Sequence, residues 1–295
     1  MKIAILSTKR TLYSTRRLAE SGRKRGHDMR IINPLQCILS ASSEGLLLQS
    51  DGLPLNDFDC VIPRIGASMT QHGIALLAHF ELTRTFVLNS STAIALSRDK
   101  LRTLQYLAAS NVPVPATVAV HSSETIDAAL QRVGSPVIIK LLSGTQGIGV
   151  IKAESIDQAR STVETLWSLG EDCLIQRYIA ESRGHDVRVF VVAGKVVAAM
   201  NRQASEGEFR SNLHRGGTSS PANLSARESE VALRATEILG LSVAGVDMLI
   251  TPDGPLVIEV NSSPGLEGIE TTTGRDVARE IITCVEAEVG TRKLT

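Results

Sequence analysis

GVDMLITPDGPLVIEVNSSPG, residues 245–265, places a turn signal between two apolar, β-branched arms. Within TPDGP, Pro252 fixes one backbone angle and Gly254 permits another, so the stretch reads as a β-hairpin. Each arm carries one acid, Asp247 and Glu259. A hairpin centred on Asp253 sets the two acids at equal distances from the turn, facing each other. Glu259 and Asn261 are two apart and share a strand face. Opposed carboxylates repel and lose solvation, so one must protonate unless a cation joins them. Three hard oxygen donors on one face suit Mg²⁺, which is commonly held by one or two carboxylates together with a nucleotide's phosphates. Chance acids on a solvated hairpin are the plainer alternative. The metal reading therefore needs a phosphate partner elsewhere in the chain.

Composition narrows the field. A chain of 295 residues is long enough for two or three domains, each with its own core. Basic and acidic residues balance at 31 each and aromatics are only 3 %. There is no basic stripe with interleaved aromatics, which argues against direct nucleic-acid binding. Cys37, Cys60, Cys173 and Cys284 are far apart and make no metal or redox spacing, as expected of free thiols in a reducing compartment. The opening MKIAILSTKR has too short an apolar run for a signal peptide and reads as a first strand. No apolar stretch approaches the roughly 20 residues of a membrane span. A cytoplasmic protein with no membrane partner is expected.

Strand and helix alternate over residues 1–97: KIAIL, a helix over 14–25, MRIINP, CVIPRIG, a helix over about 69–84, then FVLNS. This pattern predicts a small open α/β domain with a parallel sheet. Between them, residues 35–59 are weakly patterned, with LLLQSDGLPL resembling a hairpin around Asp51-Gly52. Arg64 follows the strand CVIP, at the end where open α/β sheets take ligands. It reads either as a contact for a substrate carboxylate or as a surface arginine. From Ser97, a plausible N-cap for RDKLRTLQYLAAS, strands pair around helices. An antiparallel α+β lobe is expected. The polar loop over 203–221 is long for a connector and favours a functional role.

The phosphate partner has a candidate in Lys140, a point charge at the tip of the apolar run PVIIK. LLSGTQGIGV follows at once, and Gly144, Gly147 and Gly149 allow its backbone to approach a ligand and offer N–H groups to phosphate. The order of lysine and glycines is not that of a P-loop, and GxGxxG is absent. Lys100 opens a helix, where it opposes the dipole and suggests a nearby anion; a solvated lysine is the alternative. Ser97 and Lys100 match SxxK, but SDN, KTG and GxSxG are missing, which removes a nucleophilic serine. Gln176 to Ile179 leaves a strand where two lobes would join, a place for an adenine. Asp186 and Arg188 alternate on one strand face, and Arg202, Arg210, Asn212 and Arg215 cluster around the polar loop. Arginines near a Mg²⁺–phosphate site can stabilise charge during phosphoryl transfer.

SRDKLRTLQYLA, SPVIIKLLSGTQGIGV, QRYI, DVRVFVV, EGEFRSNLHRGG, AGVDML and VIEVNSSPGLEGIE together resemble the ATP-grasp carboxylate–amine ligases, and within them the RimK family of α-L-glutamate ligases. The resemblance covers essentially the whole chain. It implies an N-terminal pre-ATP-grasp domain, 1–97, followed by two α+β lobes, 98–180 and 181–295, that clasp the nucleotide. It places Lys100 and Lys140 on the ATP phosphates, Arg177 and Tyr178 in the adenine hinge, and Asp186 on the ribose. Arg210, Ser211 and Asn212 would border the triphosphate and acyl site. Asp247, Glu259 and Asn261 would hold one or two Mg²⁺ or Mn²⁺ ions, and Arg202 or Arg210 would stabilise the tetrahedral oxyanion. The implied reaction joins L-glutamate to an acceptor protein or peptide with a C-terminal glutamate, a ribosomal small-subunit protein in this family, or to a growing poly-α-glutamate. Homo-oligomerisation is left open. The family usually has Glu-Arg-Arg where this chain has Asn201-Arg202-Gln203, a departure that touches acceptor or amino-acid preference. The alternatives are a ligase for a small-molecule carboxylate and a nucleotide-binding regulatory module without turnover.

Overall fold

The computed structural model describes residues 1–142, 149–182, 184–205, 208–211 and 216–292. The buried run of β1 (Lys2–Leu6) starts a parallel sheet and is joined through α1 (Tyr13–Lys24) to β2 (Asp28–Ile32). The weakly patterned stretch forms a three-stranded antiparallel meander, β3 (Cys37–Ser42), β4 (Gly45–Ser50) and β5 (Leu53–Pro54). Its turn at Asp51-Gly52 is the expected one; β3 was not expected. The chain re-enters the parallel sheet as β6 (Cys60–Pro63), crosses through α2 (Thr70–Leu82) and ends it with β7 (Phe86–Val87), in the order β2-β1-β6-β7.

One boundary differs from the sequence reading. The helix expected to start after Ser97 is two helices, α3 (Ser91–Arg98) and α4 (Lys100–Ala109). Ser97 lies inside α3, where its hydroxyl donates to the Ile94 carbonyl. The cap of α4 is Asp99, whose carboxylate accepts the Arg102 N–H at 2.9 Å. A charged acceptor suits exposed helix N–H groups, and a one-residue break leaves almost no trace in apolar periodicity.

The next sheet is antiparallel. It comprises β8 (Thr117–Ala119), β9 (Val137–Leu141), β10 (Val150–Ala153) and β11 (Cys173–Arg177), backed by α5 (Ser123–Val133) and α6 (Ile156–Ser168). Val137, Ile139, Ala153 and Ile175 point into the core with these helices. By strand alternation Ile138, Lys140, Val150, Lys152, Leu174 and Gln176 share the other face.

The largest sheet runs β14-β13-β12-β15-β16, from β12 (His185–Val192), β13 (Lys195–Gln203), β14 (Thr218–Pro221), β15 (Val243–Thr251) and β16 (Gly254–Asn261). One face, with Val187, Val189, Val191, Ala199, Val246 and Met248, packs on α7 (Ala226–Ile238). The opposite face is divided along its length. At one end Phe190, Val192, Ala198, Met200 and Val243 join a core with α1, α8 (Glu267–Thr273) and α9 (Val277–Arg292). At the other end the same alternation presents Asp186, Arg188, Arg202, Asp247, Glu259 and Asn261.

Side-chain clamps fix the first parallel sheet to this divided face. Asn89 is buried; its amide donates to the Val243 and Ser262 carbonyls at 2.7 and 2.9 Å and accepts the Val243 N–H at 2.9 Å. Glu270 accepts from Tyr13 and Arg17, each at 2.9 Å, and from the Ala278 N–H.

Candidate active site

The hairpin of β15 and β16 has the predicted pairing for a reason the sequence hid. Thr251 pairs with Gly254, and the register continues regularly to Met248 with Val257. The turn is therefore centred between Pro252 and Asp253, one half-step from the expected centre. Continued unbroken, that register would pair Asp247 with Ile258 and turn Glu259 toward α7. A bulge between Asp247 and Met248 takes up the extra residue, so Asp247 pairs with Glu259 and Gly245 with Asn261. The backbone also needs room there, since a Cβ on Gly245 would sit 2.8 Å from Pro264.

The opposed acids are resolved electrostatically by arginines. Arg188 forks onto Asp247, Nε to Oδ1 at 2.7 Å and Nη2 to Oδ2 at 2.6 Å. Arg202 forks onto Asp186 at 2.6 Å twice and reaches Asp247 Oδ2 at 3.1 Å. The Ser211 hydroxyl donates to Asp186 at 2.5 Å. Burial opposes the charge of Asp247, but Arg188 and Arg202 outweigh it and hold its pKa below the ordinary carboxylate value. Glu259 goes the other way. Desolvation and then Asp247 raise its pKa, against the pull of Arg188, Lys140 and Lys100. Solvent still reaches Glu259, a carboxylate without the guanidinium fork that its neighbour has.

Two lysines face it from the other side. Lys140, on the free face of β9, has its pKa lowered by burial, with Glu259 opposing that shift and Lys100 adding to it. No hydrogen bond or ion pair reaches the Lys140 ammonium among the described residues. Lys100 donates to the Leu141 and Leu142 carbonyls at 2.8 and 3.0 Å, bracing the end of β9, and burial lowers its pKa as well. Two partly desolvated ammonium groups beside a raised carboxylate form a cradle for an anion and a cation together.

The Asn261 side-chain nitrogen is buried without a hydrogen-bond partner among the described residues, a donor that an incoming acceptor such as a phosphate oxygen would satisfy, leaving the amide oxygen for a metal. Two carboxylates and an amide, with phosphate oxygens completing the shell, match the donor chemistry of Mg²⁺. The residues present fit a magnesium–nucleotide pair.

The remaining expected residues fall in three groups. Tyr178 follows β11 and carries the Lys152 ammonium 4.2 Å above its ring, with its N–H on the Pro136 carbonyl; Arg177 beside it is exposed. Asp186 stands with the acids, its oxygens engaged by Arg202 and Ser211. Arg210 folds back on Glu208 at 2.9 and 2.7 Å, lies 3.4 Å from the Val150 carbonyl of β10, and holds the Glu208 pKa down to about 2. Asn212 and Arg215 lie outside the described residues, as do Gly144 and Gly147. Gly149 is described: its φ of +73° and a Cβ position 2.6 Å from Leu141 exclude a side chain. Lys152 was missed; its alternation with Val150 in VIKA was the available signal. Arg188 was noticed on the face of Asp186, but only strand pairing shows that it serves Asp247.

Comparison with known proteins gives the family. Residues 97–285 match the profile of the RimK-like ATP-grasp domain, and residues 1–94 that of the RimK pre-ATP-grasp domain. The chain belongs to the RimK-like ATP-grasp family. It is an ATP-dependent ligase that forms amide bonds. It is 51 % identical to a protein named probable alpha-L-glutamate ligase from Pseudomonas fluorescens, over 98 % of this chain and 97 % of that one. A protein of the same name from Picosynechococcus is also 51 % identical, over 100 % of this chain and 98 % of its own. The crystal structure of a RimK domain ATP-grasp protein from Sphaerobacter thermophilus superimposes with a TM-score of 0.73 at 27 % identity, covering 97 % and 99 % of the two chains. D-alanine–D-alanine ligase from Bacillus anthracis, solved with ATP, shares the fold at 18 % identity, with a TM-score of 0.72 and coverage of 99 % and 98 %.

Proposed function

We propose that this RimK-like ligase joins L-glutamate to a carboxylate acceptor through an acylphosphate, the acceptor being a protein or peptide with a C-terminal glutamate. A ribosomal small-subunit protein and a growing poly-α-glutamate are the candidates of this type. The observation that carries the reading is the divided sheet face: Asp247, Glu259 and Asn261 opposite Lys140 and Lys100, in a chain half identical to proteins named as glutamate ligases. Lobes 98–180 and 181–295 would enclose the nucleotide between their two free sheet faces, with Tyr178 at the hinge.

A carboxylate is a poor electrophile, so an acceptor oxygen first attacks the γ-phosphorus of ATP and ADP leaves. Lys140 and Lys100 hold the phosphates, and Asp247, Glu259 and Asn261 would hold Mg²⁺ or Mn²⁺. The metal, when bound, neutralises phosphate charge and fixes an in-line geometry. The amine of glutamate then attacks the acyl carbon, phosphate departs, the amine proton passes to phosphate or solvent, and an amide remains. Arg210, beside Val150, would meet the developing oxyanion on leaving its pair with Glu208. Arg202 spends Nε and Nη2 on Asp186 and Asp247, which suits a role in holding the acids.

By alternation, the departures from the family pattern at Asn201 and Gln203 lie on the sheet face opposite Arg202. They therefore give little support to a small-molecule acceptor.

Mass spectrometry after incubation with ATP, Mg²⁺ and a panel of amino acids, with and without a glutamate-ended peptide, tests the proposal. A ladder of glutamate additions is expected. Phosphate release without a peptide product would reject the peptide acceptor, and a different amino acid on the peptide would reject glutamate.

A further inference from the structure

Arg64 has no part in the machinery described so far. It follows β6, and its N–H donates to the Leu6 carbonyl at 2.8 Å, which fixes it at the carboxyl edge of the first parallel sheet. Crevices beyond that edge are where open α/β sheets take ligands. The side chain is half-buried, and no hydrogen bond or ion pair reaches its guanidinium among the described residues. The charge felt most there is a second cation: burial, then Arg98, push the Arg64 pKa down to about 10. Arg98 is itself committed. It donates to the Ile65 and Gly66 carbonyls and, at 2.7 Å, to the Thr70 hydroxyl, and so braces the loop that leaves Arg64.

This loop touches the exit of the acidic hairpin. The Ser263 hydroxyl donates to the Pro63 carbonyl at 3.1 Å. Ser263 is two residues beyond Asn261, a span of at most about 7 Å along the chain, comparable to the length of an arginine side chain. A Cβ on Gly66 or on Gly265 would meet nothing within 4 Å, so the backbone on either side of this contact is not packed shut. A partly desolvated guanidinium beside another cation, next to the loop that meets the exit of the acidic hairpin and without a carboxylate of its own, is matched by an anion with two coplanar oxygens.

We propose that Arg64 binds a non-reacting carboxylate of a ligation substrate, with Arg98 as a positioning residue for its loop. The proposal rests on the ligase reading above and adds a specificity contact from the N-terminal sheet. The carboxylate has two sources: the incoming amino acid, which reacts through its amine, or the side chain of the acceptor's terminal residue, which reacts through its α-carboxylate.

Calorimetric titration of the full chain, held with Mg²⁺ and a non-hydrolysable ATP analogue, distinguishes them. The probes are L-glutamate, L-glutamine, L-aspartate, a peptide ending in glutamate and the same peptide ending in glutamine. Arg64→Ala is expected to bind the preferred carboxylate probe about 10- to 100-fold more weakly than wild type, while analogue affinity stays within about twofold. Arg64→Lys should recover part of the loss, since it restores the charge without the fork. Dependence confined to free glutamate assigns the anchor to the incoming substrate. Dependence confined to the glutamate-ended peptide assigns it to the acceptor. Arg64-dependent binding of aspartate alone would keep the anchor and reject glutamate as substrate. Equal behaviour of wild type and Arg64→Ala toward every probe, including no binding by either, overturns the proposal. So does a parallel loss of analogue affinity in both variants.

Discussion

Replacing Arg202 by methionine removes the cation that joins the two buried acids of β12 and β15. Arg202, Asp186 and Asp247 are 5 %, 4 % and 3 % exposed. The substitution deletes both contacts to Asp186 at 2.6 Å and the 3.1 Å contact to Asp247. Asp247 keeps its fork from Arg188, but Asp186 is left with the Ser211 hydroxyl alone among the partners described. Breaking a buried pair at one end costs about 3–5 kcal/mol, chiefly because the stranded charge stays buried. At about 2–4 °C per kcal/mol, the melting temperature followed by circular dichroism should fall by roughly 6–20 °C. The double variant Asp186→Asn/Arg202→Met removes the stranded charge and should recover a large part of that loss. The sign with pH follows from linkage. Asp247 has a native pKa below its ordinary 3.8, so its stabilising contribution is complete above that value and is lost as pH falls through the native pKa. Without Arg202, burial is opposed at Asp247 by Arg188 alone, which favours protonation, and the deficit of Arg202→Met should shrink as pH falls from 7 toward about 4. A loss below about 1 kcal/mol, or a double variant no more stable than the single one, would refute the claim that Arg202 acts as a structural counter-ion.

Lys140→Ala should weaken ATP binding at least about tenfold, the scale of one charge-assisted contact, and unchanged affinity in calorimetry would remove Lys140 from the phosphate site. Gly245→Ala should destabilise by about 1–3 kcal/mol, because the new methyl meets Pro264 at 2.8 Å beside the position of Asn261. A wild-type melting curve for that variant would show that the loop yields freely. Asn89→Ala leaves two buried carbonyls and one N–H without their clamp and should cost about 2–4 kcal/mol. Limited proteolysis should then cut faster between the first sheet and β15, and an unchanged digestion rate would count against the clamp.

Much of this was legible in the sequence because it rests on local rules. TPDGP marked the hairpin, alternation put Glu259 with Asn261, and KIAIL with CVIP marked a parallel sheet. The opposition of Asp247 and Glu259 was expected for an incomplete reason, since a bulge has no single-residue code and shows only in the pairing. The break between α3 and α4 was hidden because apolar spacing runs through it and both Ser97 and Asp99 are able caps. The service of Arg188 to Asp247 joins residues 59 apart in the chain, and no periodicity reports a cross-strand fork. Alternation in VIKA could have put Lys152 on the free face with Val150, but its contact with the Tyr178 ring joins residues 26 apart and shows only in the fold.

The central claim is that Asp247, Glu259 and Asn261 form the metal seat of the ligase. Its most direct test is the binding of Mn²⁺ in the presence of ADP, followed by electron paramagnetic resonance of the free ion, in wild type and in Glu259→Gln. Glutamine keeps the size of the side chain and removes its charge, and circular dichroism should show the fold intact. Nucleotide-dependent Mn²⁺ affinity should fall by about 100-fold or more in Glu259→Gln, beyond the loss typical of an outer-sphere partner. Equal Mn²⁺ affinity in the two proteins would contradict the claim and move the metal away from this hairpin.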